Sequence, residues 1–291
     1  NSREIVINEI KRITQETIDR MDNRGGRLLG VGVGIIGVVS AREGVVLYCP
    51  SLPGWEDTPL KSEIETGFRC DVIIDDSVNC RTLAEKRYGK GRDLSTFLYL
   101  HIGHGVGAGL LFDGRIFRGK NGLSGEFGHV TVQENGPLCN CGNRGCLEAI
   151  ASEEAILGTT KELLESNVYS TLRSIQERKE SISLADISLE AECGDKLAAM
   201  RINSVGESIG TGTADLINVL DPGEIICGGA VVDALGEGLI DLIKRTVKLR
   251  SIHSIAGRTT IYRSSKLENA IARGAATMMI EKYLQNEVLN L

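Results

Sequence analysis

Glycine-punctuated runs of β-branched residues alternate with helical stretches along almost the whole chain, and that alternation confines the fold to α/β architectures. The runs "RLLGVGVGIIGVV" and "GVVLY" read as strands joined by the turn "SAREG". A helix over "PLKSEIETG" leads into the strand "CDVIID", and the helical "SVNCRTLAEKRYG" stops at Gly89, placed for a left-handed C-terminal cap. The strand "TFLYLHIG" is followed by "GVGAGLLFDGRIFRG", where Asp113-Gly114 between apolar runs marks a hairpin. From Ser152 onward helices dominate. Ser152, Glu153 and Glu154 start one, and a long helical region from Leu184 to Leu220 is broken by Asp221-Pro222. The short strand "EIICGG" meets a helix through Gly228-Gly229, "TTIYRSS" is a last strand, and Ala272, Gly274, Ala275 and Ala276 let the final helix pack closely. At the other end, residues 4–21 place Val6, Ile10, Ile13 and Met21 near one helix face, with Asn1 and Glu4 spaced like a capping box.

Composition narrows the function. A chain of 291 residues has room for two domains, and 42% hydrophobic with 25% charged residues suits a water-exposed globular protein. No apolar run approaches the roughly 18 residues of a membrane span, and "NSREIVINEIKR" lacks the pattern of a secretory leader, so the expectation is a cytoplasmic protein with no membrane contact. A formal net charge of -6 argues against this chain gripping a phosphate backbone by itself.

Chemistry concentrates in "GHVTVQENGPLCNCGNRGC", residues 128–146. Cys139, Cys141 and Cys146 give C-x-C-x4-C with His129 ten residues upstream, and three thiolates plus an imidazole complete a tetrahedral zinc shell. A redox pair, which favours C-x-x-C before a helix, and a disulfide, which the cytosol disfavours, are the weaker readings. With all four positions filled by protein, no site remains to activate water, so the expected ion is structural Zn2+. Cys49, Cys70, Cys80, Cys193 and Cys227 read as buried, reduced thiols. Glu126 and Glu148 flank the cluster, and carboxylates held beside a fixed histidine are good acceptors for ligand hydroxyls.

The segment "SGEFGHVTVQENGPLCNCGNRGCLEAIAS", with "SLPGWEDTPL", "IIDDSVNCRTLAE", "IGHGVGAGLLFDGRIFRG", "LINVLDPGEIICGG" and "AIARGAA" in order, resembles the ROK family of repressors, open reading frames and sugar kinases. The resemblance implies an actin-like (ribonuclease H-like) fold of two α/β domains with a sugar-binding cleft between them, assembled as a homodimer or homotetramer. It implies an N-terminal domain over residues 1–103, a larger domain over 104–265 carrying the zinc loop 129–146, and a C-terminal helix over 266–291 that returns to the first domain. Zinc falls on His129, Cys139, Cys141 and Cys146, and sugar contacts fall on Glu126, His129 and Glu148.

Departures from the family pattern shift the expected activity. Kinases of the family end the strand matching "IIDDSVNC" in Asn-Asp, the Asp being the base that deprotonates the sugar; here Asp76-Ser77 stands there. A serine hydroxyl cannot accept a proton near neutral pH, so no catalytic residue is assigned and Asp76 remains as a sugar contact only. His104 replaces the threonine of the family's Gly-Thr-Gly loop, setting a bulky imidazole where phosphates are cradled. Ser51 and Ile36 replace a common Asn and Pro. Family kinases also carry a strand and an Asp-x-Gly-Gly-Thr loop before the first helix, where this sequence begins. The expectation is therefore the effector-sensing part of a transcriptional regulator that binds a monosaccharide or sugar phosphate and reaches DNA only through an upstream helix-turn-helix. An ATP-dependent sugar kinase using another base, Asp75 or Asp76, is the alternative.

Overall fold

The structure, a computed structural model, describes residues 3–22, 28–49, 52–68, 70–179 and 181–289. Asn1 of the expected capping box and Ser51 lie outside the described residues. The chain divides into two compact units: residues 1–94, 115–124 and 267–291 form the first, and residues 95–114 and 125–266 the second.

In the first unit, helix α1 (Arg3–Asp22) precedes strand β1 (Val31–Ile35), the hairpin β2 (Val38–Ser40) and β3 (Val45–Tyr48), helix α2 (Leu60–Phe68), strand β4 (Val72–Asp76) and helix α3 (Ser77–Tyr88). Strands β1 and β4 pair in parallel from Val31↔Val72 to Ile35↔Asp76. Their core gathers Ile7, Val46, Trp55, Leu60, Ile64, Val72 and Ile74. Ile7 is the buried residue of α1, with Val6, Ile10, Thr14, Ile18 and Met21 half-buried, whereas Ile13 is exposed. Val6 and Ile10 of the expected face pack on this core and Ile13 alone is left out, because α1 enters the core through Ile7 and its 3.6-residue period then selects 14 and 18 over 13. Close approach explains the small residues of the last helix, α11 (Ala270–Leu289). A Cβ on Gly274 would lie 1.7 Å from the Cys80 carbonyl of α3, and one on Gly32 would lie 2.2 Å from the Ala275 carbonyl. Gly89 ends α3 for a different reason than expected. Its φ of −112° is extended rather than left-handed, and what excludes a side chain is the buried Glu85 carboxylate, 1.9 Å from where a Cβ would sit.

The second unit is built on strands β5 (Phe97–Ile102), β6 (Val106–Phe112), β8 (Glu224–Gly228) and β9 (Thr260–Arg263), ordered β6-β5-β8-β9 with β6 antiparallel to β5 and the rest parallel. Asp113 (φ 48°) and Gly114 (φ 76°) make the hairpin turn after β6, and the short β7 (Arg115–Ile116) opens the 115–124 segment of the first unit. The boundary falls between 94 and 95 and not at 103/104, because β5 is hydrogen-bonded on both edges to strands of the second unit. Helices α4 (Glu148–Ala151), α5 (Glu153–Glu165), α6 (Leu172–Lys179), α7 (Leu184–Glu192), α8 (Lys196–Leu220), α9 (Ala230–Arg250) and α10 (His253–Ala256) complete this unit.

Local caps explain these boundaries. Ser152 caps α5 by accepting from the Ala155 N–H, and Ser183 with Asp186 forms a reciprocal capping box on α7. The region 184–220 is two helices, because Gly194 (φ 93°) turns the chain and the Asp195 carboxylate caps α8 afresh. Asp221, left-handed at φ 43° and followed by Pro222, ends it. Glycines on α8 admit its neighbours: a Cβ on Gly206 would meet the Leu242 Cβ of α9 at 2.7 Å, one on Gly210 the Thr246 Cβ at 2.5 Å, and one on Gly212 the Phe127 ring at 2.9 Å.

Candidate functional site

Phe127 belongs to a one-turn 3-10 helix, Phe127–His129, which hangs between β6 and α8. Gly125 (φ 105°) makes this possible: its carbonyl accepts from the Ala108 N–H at 2.8 Å, and a Cβ there would strike the Ala108 carbonyl at 2.2 Å. With Phe127 buried against Gly212, Glu126 and His129 on either side of it are presented from a fixed backbone. Glu148 joins them from the first turn of α4. Its Oε2 accepts from the Val106 N–H at 2.8 Å, and it fits there because Gly105 and Gly128 lack side chains: Cβ atoms on them would lie 3.1 Å from Glu148 Oε2 and 3.2 Å from its Cβ. Burial holds the Glu126 carboxyl above its ordinary range, with the Glu148 charge adding to the rise and His129 opposing it.

The two nitrogens of His129 face different chemistry. Nε2 lies 3.9 Å from Glu126 Oε2, and Nδ1 lies 3.7 Å from Cys139 Sγ. The donor atoms of His129, Cys139, Cys141 and Cys146 all fall within 4.8 Å of one another. Cys141 and Cys146 Sγ are 3.7 Å apart, close to the edge of about 3.8 Å in a tetrahedron of roughly 2.3 Å zinc–sulfur bonds. All three thiols are free, so the spacing suits a shared ion and not a disulfide. The loop that gathers them is tightly turned. Cys139 accepts from the Gly142 N–H and donates its own N–H to Asn143 O, and a Cβ on Gly145 (φ 71°) would lie 1.7 Å from Gln133 O. Burial pushes the Cys146 thiol up to about 12, while backbone hydrogen bonding at Asn143 pulls the exposed Cys141 down. The residues present fit a closed metal site of three sulfurs and one nitrogen with no open position.

Asp76 belongs to the first unit, apart from the unit holding Glu126, His129 and Glu148. It is the N-cap of α3, its Oδ1 accepting from the Val78 N–H at 2.6 Å and the Asn79 N–H at 3.3 Å. Its neighbour Asp75 is 2% exposed and fully engaged. Asp75 Oδ2 accepts from Arg118 Nε and Nη2 at 2.9 and 2.6 Å, and Oδ1 from the Asp76 N–H and the Asn79 amide at 2.8 and 2.9 Å. Ser77 is buried in the first turn of α3. His104 is 90% exposed on its side chain, with Nδ1 3.2 Å from Glu153 Oε2. The loop beneath it closes on itself, since the Gly103 N–H donates to Gly105 O at 3.0 Å rather than pointing outward. Of the remaining cysteines, Cys49, Cys80 and Cys227 are buried as expected, but Cys193 at the end of α7 is exposed and Cys70 partly so. Sequence reasoning missed Arg118, Val106 and the four glycines that make room for the site; only the glycine richness hinted at them.

Among the described residues no helix is long and apolar enough to cross a membrane. The xylose repressor of Caldicellulosiruptor bescii is 34% identical over 257 residues, covering 88% of this chain and 64% of that protein. This chain therefore spans just under two thirds of that repressor's length. A glucokinase of Thermotoga maritima is 32% identical over 276 residues, covering 94% and 85% respectively. The crystal structure of a ROK family transcriptional regulator, a homologue of the E. coli MLC protein, superposes with a TM-score of 0.85 at 28% identity, over 96% of this chain and 69% of that one. The actin-like α/β fold of sugar kinases is thus the fold of this chain. The profile of the ROK family matches residues 1–282, and the chain belongs to the ROK family.

Proposed function

We propose that this chain is the sugar-sensing and oligomerising part of a transcriptional repressor. In this reading Glu126, His129 and Glu148, with Asp76, bind a monosaccharide or sugar phosphate, and His129, Cys139, Cys141 and Cys146 hold a structural zinc. The observation that carries it is the divided imidazole: Nδ1 stands among thiols while Nε2 stands beside Glu126, so a metal that orders the cysteine loop also sets the ring presented to a ligand. Zinc there supplies a fixed charge and a rigid loop. The carboxylates accept sugar hydroxyls, and the donor already on Glu148 Oε2 orients that group.

Sensing without phosphoryl transfer is the activity these side chains favour. Ser77 offers no base, Asp76 is engaged as a helix cap, Asp75 is neutralised by Arg118, and the 103–105 loop turns its N–H inward. The sequence likeness to xylose repressors supports the same choice and makes xylose the first sugar to test. DNA contact belongs to an upstream helix-turn-helix, and the assembly is a homodimer or homotetramer. A sugar preferring one state tenfold moves the conformational balance by about 1.4 kcal/mol, enough to lower operator occupancy measurably.

The test is a calorimetric titration with xylose, glucose and their phosphates, run beside an ADP-release assay and zinc analysis. One zinc per chain, saturable binding of one sugar that Glu126→Ala abolishes, and no sugar-dependent ADP release are the expected outcomes. Sustained turnover would make the chain a kinase, and a metal-free protein that still binds its sugar normally would refute the bracing role.

A further inference from the structure

We infer that His101 closes the second unit to nucleotides, its imidazole filling the space between the two glycine turns where their phosphates would lie. This deepens the regulator reading, on which it rests, by naming the residue that denies the chain a phosphoryl donor. Strands β5, β8 and β9 run parallel, and in a sheet of that kind ligands bind beyond the carboxyl ends of the strands, with phosphates against a glycine turn that opens a helix. Two glycine turns stand at those ends. Gly103 follows β5, and Gly228-Gly229 leads β8 into α9, with Gly229 at a φ of 111°.

Local geometry puts the ring there. Side chains alternate along β5, so that Leu98, Leu100 and Ile102 enter the unit's apolar core and Tyr99 and His101 take the other face. His101 is level with Gly107 on β6 and with Gly228 on β8, and neither neighbouring strand therefore offers a side chain to hold its ring back. The imidazole reaches both turns. A Cβ on Gly103 would lie 3.0 Å from its Nε2, and one on Gly229 would lie 2.9 Å from its Cε1. The turns also approach each other, since that Gly103 Cβ would be 3.5 Å from the Ala230 nitrogen, the first of α9. A phosphate cradled here must touch backbone N–H groups of the turns, and the ring stands where its oxygens would go. Beside it Tyr99 is 3% exposed and packs against Gly228 and Ser264, which leaves the imidazole no space to withdraw along the sheet. His104 is not the obstruction that its bulk suggests, because its side chain is 90% exposed and turns to Glu153.

Equilibrium dialysis of the 291-residue chain against magnesium ATP, with no sugar present, tests this. Wild type and His104→Thr should retain no nucleotide up to about 10 mM, whereas His101→Ala should bind it saturably, a gain of at least about tenfold in affinity. His101→Ser is carried alongside in case the alanine variant folds poorly, and circular dichroism verifies the fold of each. In the wild-type chain the amide resonances of Gly103, Gly229 and Ala230 should stay unmoved by inorganic tripolyphosphate, a measurement that needs no variant. Saturable nucleotide or tripolyphosphate binding by wild type, opening by His104→Thr alone, or folded His101 variants that still bind nothing would each overturn the assignment. Nucleotide binding by wild type that the His101 variants lose would make the imidazole a phosphate ligand and overturn it in the opposite sense. The sensing reading fails separately, through the sugar-induced melting shift, which should be the same in wild type and His101→Ala. Its absence from both would refute sensing and leave the nucleotide result standing.

Discussion

Replacing Arg118 by Met tests whether the Asp75–Arg118 pair holds the strand end where family kinases keep their base. Methionine preserves much of the apolar stem and removes both donors on Asp75 Oδ2. Stripping the partner from a buried carboxylate costs roughly 3–5 kcal/mol. Two features lower that figure here: Oδ1 keeps the Asp76 N–H and the Asn79 amide, and Arg118 is 36% exposed, so water can reach the vacated side. The expected loss is about 2–3 kcal/mol. Trp55 is the chain's single tryptophan and is fully buried in the first unit's core, so its fluorescence reports the unfolding of that unit alone. With an m-value of about 1–3 kcal/mol/M in urea, the midpoint should fall by roughly 0.7–3 M. The double variant Asp75→Asn with Arg118→Met should recover to within about 1 kcal/mol of wild type, because a neutral amide needs no counter-charge and its oxygen can still accept from Asp76 and Asn79. A single-variant loss below about 0.5 kcal/mol would refute the reasoning, since the pair would then be worth no more than a surface contact. A double variant as unstable as the single one would move the loss to the packing of Arg118, whose Nη2 lies 4.0 Å from Met278 Sδ.

Three further outcomes follow from the geometry. Asp186, held down to about 2 first by Lys179 and then by Ser183, adds stability that is fully present above its ordinary value of 3.8 and is lost as pH falls through 2. The linkage is roughly 2.4 kcal/mol before screening and about 1–2 kcal/mol after it, since Lys179 is 59% exposed; Asp186→Asn should remove that amount at pH 7 and nothing below pH 2 in acid unfolding followed by circular dichroism. Gly210→Ala forces a Cβ to 2.5 Å from the Thr246 Cβ between two long helices, so a loss of about 1–3 kcal/mol is expected in thermal melting of the second unit, with Trp55 fluorescence unmoved. Asp76→Ala should cost about 1 kcal/mol through the lost α3 cap whereas Asp76→Asn should cost little, so sugar affinity measured on the Asn variant isolates any ligand contact from the cap.

Features set by neighbours in sequence were the legible ones. The Asp113-Gly114 turn, the Ser152 cap and the strand meeting a helix at Gly228-Gly229 each follow from two or three residues whose backbone preferences agree. The convergence of His129, Cys139, Cys141 and Cys146 into a group that could hold a metal ion was legible for a related reason, since thiol and imidazole donors need only short loops to come together. What misled was tertiary. Ile13 fits a helical stripe with Val6 and Ile10 as well as Thr14 fits one with Ile7 and Ile10, and only docking on the rest of the first unit's core leaves Ile13 out. The break at 193–195 was hidden by helix-forming residues on both sides, although Gly194 followed by Asp195 carries the signal of a stop and a fresh cap.

The site itself shows where sequence reasoning stops. Naming Glu126, His129 and Glu148 required only their closeness to the cysteine ligands, but nothing in that closeness says how the carboxylates are aimed. Aim comes from backbone groups that approach only where side chains are missing: Gly125 against Ala108, Gly128 against Val106, Gly105 against Glu148 and Gly212 against Phe127. Each of these contacts joins segments from 17 to 85 residues apart, so no window along the sequence contains both sides of any of them. For the proposed sugar contacts, a carboxylate and an imidazole 3.9 Å apart with the second ring nitrogen among thiols, such rigidity would mean that a ligand need not spend binding energy ordering them. By the same logic, enlarging Gly128 or Gly212 should weaken sugar binding while leaving every polar group of the site in place.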